Sequence, residues 1–199
     1  MPKSLEKCEE IRSRTKDMIL RKATIYFAKN GFTGTKIRDL AEYIGIGQGS
    51  LYSYFESKED LFLEILKNVN REDHIKQVKI LAALPIPAKQ KIHKLSCKVL
   101  QRLEEDDDFA GNIVLNTQML LEEHAIYSSK KYQSELYKYT AKIIIQGQKE
   151  DSIVAGSPTK LANYYWGVVF LYALKKLTGT EYEMIDSNDL DRTLFTRKE

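Results

Sequence analysis

Chain breakers are scarce in this sequence. Its 199 residues include four prolines and ten glycines, and so few interruptions predict a mostly helical chain. Cysteine is scarcer still. Cys8 and Cys97 are too few for a disulfide framework and lack the paired CxxC spacing of a zinc site, so both read as thiols of a reducing compartment. No long hydrophobic run is present: the most apolar stretch, residues 164–174, is far short of the ~18 residues that a membrane span needs. The opening MPKSLEKCEEIRSR has no apolar h-region, so no signal peptide is expected and the cytoplasm is the expected compartment. There is no strand alternation, GxGxxG, P-loop or repeat period. The three histidines, His74, His93 and His124, are far apart and none stands in HExxH. The acidic run at residues 104–108 lacks the alternation and glycine of a calcium loop. It reads as a solvated linker in which Asp107 or Asp108 caps the next helix. No metal, cofactor or catalytic set is nominated, and an enzyme is not the expected class.

What is present is a globular composition, 43% hydrophobic and 30% charged, which excludes a disordered chain. A chain of this length buries roughly 70% of its unfolded surface and needs no covalent staple. The net charge of +3 is unevenly placed: residues 1–58 carry eleven basic against seven acidic side chains, the remainder twenty against twenty-one. Such an excess is a nucleic-acid footprint only where a motif coincides with it.

Apolar residues recur at helical spacing through most of the chain. Ile11, Met18, Ile19, Ala23, Tyr26 and Phe27 form the first stripe, stopped by Gly31. Thr35 is placed to cap a helix over 36–44 whose buried side is Ile37, Leu40, Ala41 and Ile44. Gly45-Ile46-Gly47 makes a tight turn, and a short helix follows with Leu51 and Phe55 on one face. Ser57 then caps a helix with an acid, Asp60, at the capping-box position. Further helices are expected over 59 to about 83, 88–104, 109–124, 128–149 and 158–178, with a last short one over 188–196.

Two short helices about a glycine turn, preceded by a long one, make a helix-turn-helix. Ile37, Leu40, Ala41, Ile46, Leu51 and Phe55 lock the helices, Gly45 and Gly47 let the turn close, and Gln48, Ser50, Tyr52 and Tyr54 are left to face outward. The run Ile19-Leu20…Ala23…Phe27…Gly31-Phe32…Thr35…Ile37…Leu40-Ala41…Gly45-Ile46…Gly49-Ser50-Leu51-Tyr52…Tyr54-Phe55…Ser57-Lys58…Leu61 resembles the N-terminal pattern of the TetR-type transcriptional regulators. The likeness covers about 45 residues; the rest matches only in length and helical layout. Gly47 departs from the family's usual Ser or Thr, which weakens that helix cap by about a few tenths of a kcal/mol. Lys36 replaces a small hydroxyl residue and Ile44 an alanine.

The resemblance implies an all-α fold, with a helix-turn-helix DNA-binding domain over 1–66 and a helical ligand-binding and dimerisation domain over 67–199. It implies a dimeric, sequence-specific transcriptional regulator that a small-molecule effector releases from a palindromic operator in double-stranded DNA, with no membrane partner. Gln48 would pair with an adenine edge, Gly49 would permit close backbone approach, and Arg38 would meet a guanine. Ser50, Tyr54 and Lys58 would hold phosphates, Tyr52 a base or a phosphate, and Thr35 and Lys36 a phosphate at a helix start. Trp166, Val169, Tyr172, Leu190 and Leu194 are the candidate dimer seam, because residues 164–172 are apolar nearly all round. Eight of the twelve tyrosines lie after residue 126, and Cys97, Asn116, Met119, Tyr139 and Tyr165 are the candidate pocket lining. The alternative class is an all-helical small-molecule-binding protein or enzyme whose helix-turn-helix is vestigial; a third is a protein adaptor using the apolar helix.

Overall fold

The computed structural model describes residues 2–69, 72–118, 127–179 and 181–196. The chain divides into two compact units, Met1–Val69 and Asn70–Glu199.

The first unit contains α1 (Pro2–Asn30), α2 (Ile37–Ile44), α3 (Gln48–Tyr52) and α4 (Lys58–Val69). α1 packs on α2 and α4, and α2 packs on α3. The core is Ile19, Ala23, Phe27, Leu40, Ala41, Ile44, Leu51, Phe55, Leu61, Phe62 and Ile65, all buried. Phe27 lies edge-on to Phe62 at 5.1 Å between centroids, and Phe32 stacks obliquely on both. α1 begins earlier than its apolar stripe, and Ile11, expected in that stripe, is exposed. Gly31 ends α1 at φ +72 and donates its N–H to the Phe27 carbonyl.

The cap of α2 differs from expectation. Lys36 occupies the N-cap in extended backbone with no side-chain bond. Thr35 turns inward instead: its hydroxyl donates to the Gly31 carbonyl at 2.6 Å and the residue is buried. Its oxygen closes the α1–α2 turn rather than the helix end. The Ser57 cap holds, accepting from the Asp60 N–H at 2.9 Å, but the Asp60 carboxylate reaches back one residue further than a capping box requires, to the Glu56 N–H.

The second unit contains α5 (Glu72–Ala83), α6 (Ala88–Glu105), α7 (Asp107–Gln118), α8 (Tyr127–Lys149), α9 (Pro158–Thr178) and α10 (Ser187–Asp191). The helix expected over 59–83 is described on either side of residues 70–71, as α4 and α5. α7 and α8 pack on α9, α5 on α8, and α10 on α6. α9 starts on a Ser157 cap with Pro158 in its first turn and stops at Gly179 in the left-handed region. Asp106, not Asp107 or Asp108, caps α7, accepting from the Phe109 N–H. The last helix is shorter than its pattern. It ends at Asp191, and Phe195 instead forms an isolated antiparallel bridge with Ile153. No helix among the described residues is long and apolar enough to cross a membrane.

Candidate nucleic-acid interface

α2 closes on Gly45 at φ +88, a conformation that a side chain would strain. The Gly45 N–H reaches the Ala41 and Glu42 carbonyls, and the Ile46 N–H the Ala41 carbonyl at 3.0 Å, which satisfies the open helix end. Two residues later Gly47 starts α3 in extended backbone with no side-chain cap, as its lack of a hydroxyl requires. α3 is held by Leu51 and Phe55, both buried. Its remaining residues, Gln48, Gly49, Ser50 and Tyr52, are exposed, as is Ser53 just beyond it, and Tyr54 is half-buried. A Cβ added to Gly49 would meet nothing within 4 Å, so the backbone there is bare to an incoming surface.

Three cations of this unit are drawn onto carbonyls at turns and helix ends. The Lys22 ammonium donates to the Ile44 carbonyl at 2.8 Å, at the C-terminus of α2. Arg12 donates to the Ser53 carbonyl at 3.0 Å, just past α3, and its guanidinium covers the Tyr54 ring. Lys58 donates to the Phe32 and Thr35 carbonyls at 3.0 and 3.1 Å and lies 4.3 Å from the centre of the Phe32 ring. In each case the cation complements the negative end of a helix or turn, and the Phe32 carbonyl accepts the Thr35 N–H as well.

The expected contact residues therefore fall into two groups. Gln48, Gly49, Ser50 and Tyr52 share the exposed part of α3; Lys36 and Arg38 are exposed at the start of α2, Arg38 beside Asp39. Thr35 is buried, and both it and Lys58 are engaged inside the unit. For Lys58 periodicity could not foretell this, because the carbonyls it meets lie 26 and 23 residues away. Lys58→Met is expected to lower the stability of the first unit by about 1–3 kcal/mol, the cost of removing a charged donor from the Phe32 and Thr35 carbonyls. Urea unfolding reads this; an unchanged midpoint would assign Lys58 to the surface instead.

Residues 19–65 match the family model described as bacterial regulatory proteins, tetR family. This segment belongs to the tetR family. Within it lie the turn at Gly45–Gly47, all of α3 and the aromatic cluster of the tetR-type unit. The HTH-type transcriptional repressor KstR2 of Mycolicibacterium smegmatis is 42% identical over 53 residues, 27% of this chain and 26% of that protein. The first curated relatives are thus matched over about a quarter of their length. A TetR-like transcriptional regulator from Rhodococcus sp. RHA1 superposes with a TM-score of 0.65 at 19% identity, covering 90% of this chain and 92% of that one. AibR, solved with isovaleryl coenzyme A and operator DNA, superposes with a TM-score of 0.66 at 14% identity over 89% and 94%. The shared fold therefore extends through both units.

In the second unit the candidate pocket residues differ in burial. Cys97 is exposed. Tyr165 is fully buried, its hydroxyl 3.1 Å from that of Ser96, and burial pushes its pKa up. Tyr139 is half-buried, and Met119 lies outside the described residues. Asn116 is buried with its Oδ1 lacking any hydrogen-bond partner. A surface groove of about 390 Å³ is lined instead by Gln148, Asp151, Ile153, Ala155, Gly156 and Thr196.

The seam candidates also need correction. Val169, Leu190 and Leu194 are fully buried in the unit's own core, and Trp166 nearly so, donating to the Thr140 hydroxyl at 3.0 Å. Only Tyr172, half-buried, remains near the surface. α9 is apolar all round for a different reason. Leu161, Tyr165, Val169 and Ala173 face its own core, while Tyr164 and Leu171 are exposed at 62% and 46% on another side, with exposed Gly167 between them.

Proposed function

We propose that the chain is a sequence-specific transcriptional repressor that binds a palindromic operator as a homodimer and leaves it when a small molecule binds. The observation that carries the reading is α3. It is a five-residue helix pinned from below by Leu51 and Phe55, and it offers Gln48, Ser50 and Tyr52 outward with an unobstructed backbone at Gly49. Gln48 carries both a donor and an acceptor, as an adenine edge requires; Ser50, Tyr54, Lys36 and Arg38 supply contacts to phosphate or guanine. DNA reading belongs to residues 1–66 and assembly and ligand response to 67–199. The relatives support it in kind: KstR2 is named a repressor, and AibR was solved with both operator DNA and an acyl-coenzyme A.

Dimerisation uses the exposed side of α9, Tyr164, Gly167 and Leu171, joined by exposed Ile145 of the neighbouring α8. Two copies so joined present two reading helices to successive major grooves about 34 Å apart. The effector site lies by Asn116, whose orphaned buried oxygen calls for a donor that the described protein does not supply. An effector acts only through unequal affinity for the bound and released forms.

The test is selection of bound duplexes from a random pool. A palindrome with half-sites one helical turn apart is expected. Gln48→Ala should then weaken binding to that site by about 1–3 kcal/mol, roughly five- to 150-fold, and leave binding to random DNA at matched salt unchanged. Equal loss on both DNAs would remove α3 from its reading role.

A further inference from the structure

The second unit holds a polar chain that runs from its core to its surface. The Ser96 hydroxyl donates to Asp191 Oδ1 at 2.6 Å, and Asp191 Oδ2 lies 2.6 Å from His93 Nδ1. His93 Nε2 in turn lies 3.5 Å from Cys97 Sγ. The directions of these bonds are linked. Ser96 has one proton and gives it to Asp191, so the 3.1 Å contact to Tyr165 requires the tyrosine hydroxyl to donate. A carboxylate only accepts, so His93 donates through Nδ1. In the neutral ring Nε2 then carries the lone pair, pointed at the Cys97 thiol.

Two features fix this arrangement. His93 and Cys97 stand four residues apart on α6 and so share one face. Asp191, in the last turn of α10, is itself buried and held by two donors, so it cannot swing away from the ring. At the other end both His93 and Cys97 are exposed. A nucleophile, a base and a residue orienting the base are thus in line and open to solvent.

We propose that Cys97 is a modification site for soft carbon electrophiles of the α,β-unsaturated carbonyl class. The thiol proton passes to His93 Nε2 as sulfur bonds to the β-carbon. The carbon–carbon π pair moves to the α-carbon, which takes the proton back from His93, leaving a thioether and a neutral ring. No oxidant or co-reactant is required. Acyl transfer fits less well, because an interior position of an 18-residue helix leaves no spare amide N–H to hold an oxyanion. This assignment is independent of the DNA-binding reading. It also reaches inward: an adduct at Cys97 removes the acceptor role of His93 and loads the ring that anchors α10.

The test uses the full chain with limiting N-ethylmaleimide, followed by intact mass and peptide mapping over time. Exposed Cys8 on α1 is the reference thiol within the same molecule. Cys97 is expected to react roughly a hundredfold faster than Cys8, the low end for a positioned proton acceptor. His93→Gln, an exposed change that keeps a polar side chain, should bring the two rates together, and Asp191→Asn should move Cys97 the same way. A Cys97 rate equal to or below that of Cys8 in the unaltered chain overturns the proposal, whatever the variants do. So does a folded His93→Gln chain whose Cys97 rate is unchanged.

Discussion

Phe27→Ala should abolish the fold of the first unit and, with it, any binding to DNA, although Phe27 is itself fully buried. The ring is fully buried and meets Phe62 and Phe32 at 5.1 and 5.9 Å between centroids. Truncating a buried phenylalanine costs about 3–5 kcal/mol, and each lost aromatic pair is worth about 0.5–1.5 kcal/mol beyond its area. Domains have only about 5–15 kcal/mol to lose, and a 69-residue unit buries too little surface to stand high in that range. Urea unfolding followed by circular dichroism should show loss of the helical signal assigned to this unit at low denaturant, with the second unit's transition retained. A loss below about 1 kcal/mol would mean the cavity had collapsed on itself.

Leu171→Glu is expected to turn a dimer into a monomer. Leu171 is exposed in the protomer, so the change should leave the unit's own fold intact and act only on what covers the face. Gly167, one turn before Leu171, leaves open space where a Cβ would stand, room for a second helix to approach closely. Placing a carboxylate there, and its twofold mate beside it, buries two like charges without partners, which association cannot offset. Sedimentation should give 23.0 kDa for the variant and twice that for the parent chain. Operator affinity should fall by roughly 10²–10⁴, because the second half-site contact is no longer intramolecular. An unchanged mass would move the interface off this face of α9.

The sequence disclosed whatever depends on neighbours within one or two helical turns. Most of the stripes of α1 and α2 (Ile11 exposed and Ile37 half-buried apart), the left-handed glycines at 31 and 45, the uncapped start of α3 at Gly47 and the Ser57 cap stand where their local pattern places them. What it hid depends on contacts across the fold. Lys58 resembles a phosphate ligand until its carbonyl partners, more than twenty residues away, are in view. The apolar circuit of α9 gives no phase, so periodicity could not say that Val169 faces inward and Leu171 outward. His93 and Cys97 have helical i, i+4 spacing, but without Asp191, 98 positions from His93, that spacing is unremarked. Its only local trace is the cap at Asp186 that fixes the short helix carrying it.

The cations drawn onto carbonyls change what the charge of the first unit can do. Arg12, Lys22 and Lys58 keep their charge but are held on the protein's own carbonyls, so each offers a phosphate fewer open donors. Affinity for nucleic acid falls with salt in proportion to the number of phosphates neutralised. The eleven basic side chains before residue 59 therefore overstate the ionic part of any complex. Discrimination between sequences rests more heavily on the uncharged edge of α3, a contact that salt leaves nearly untouched.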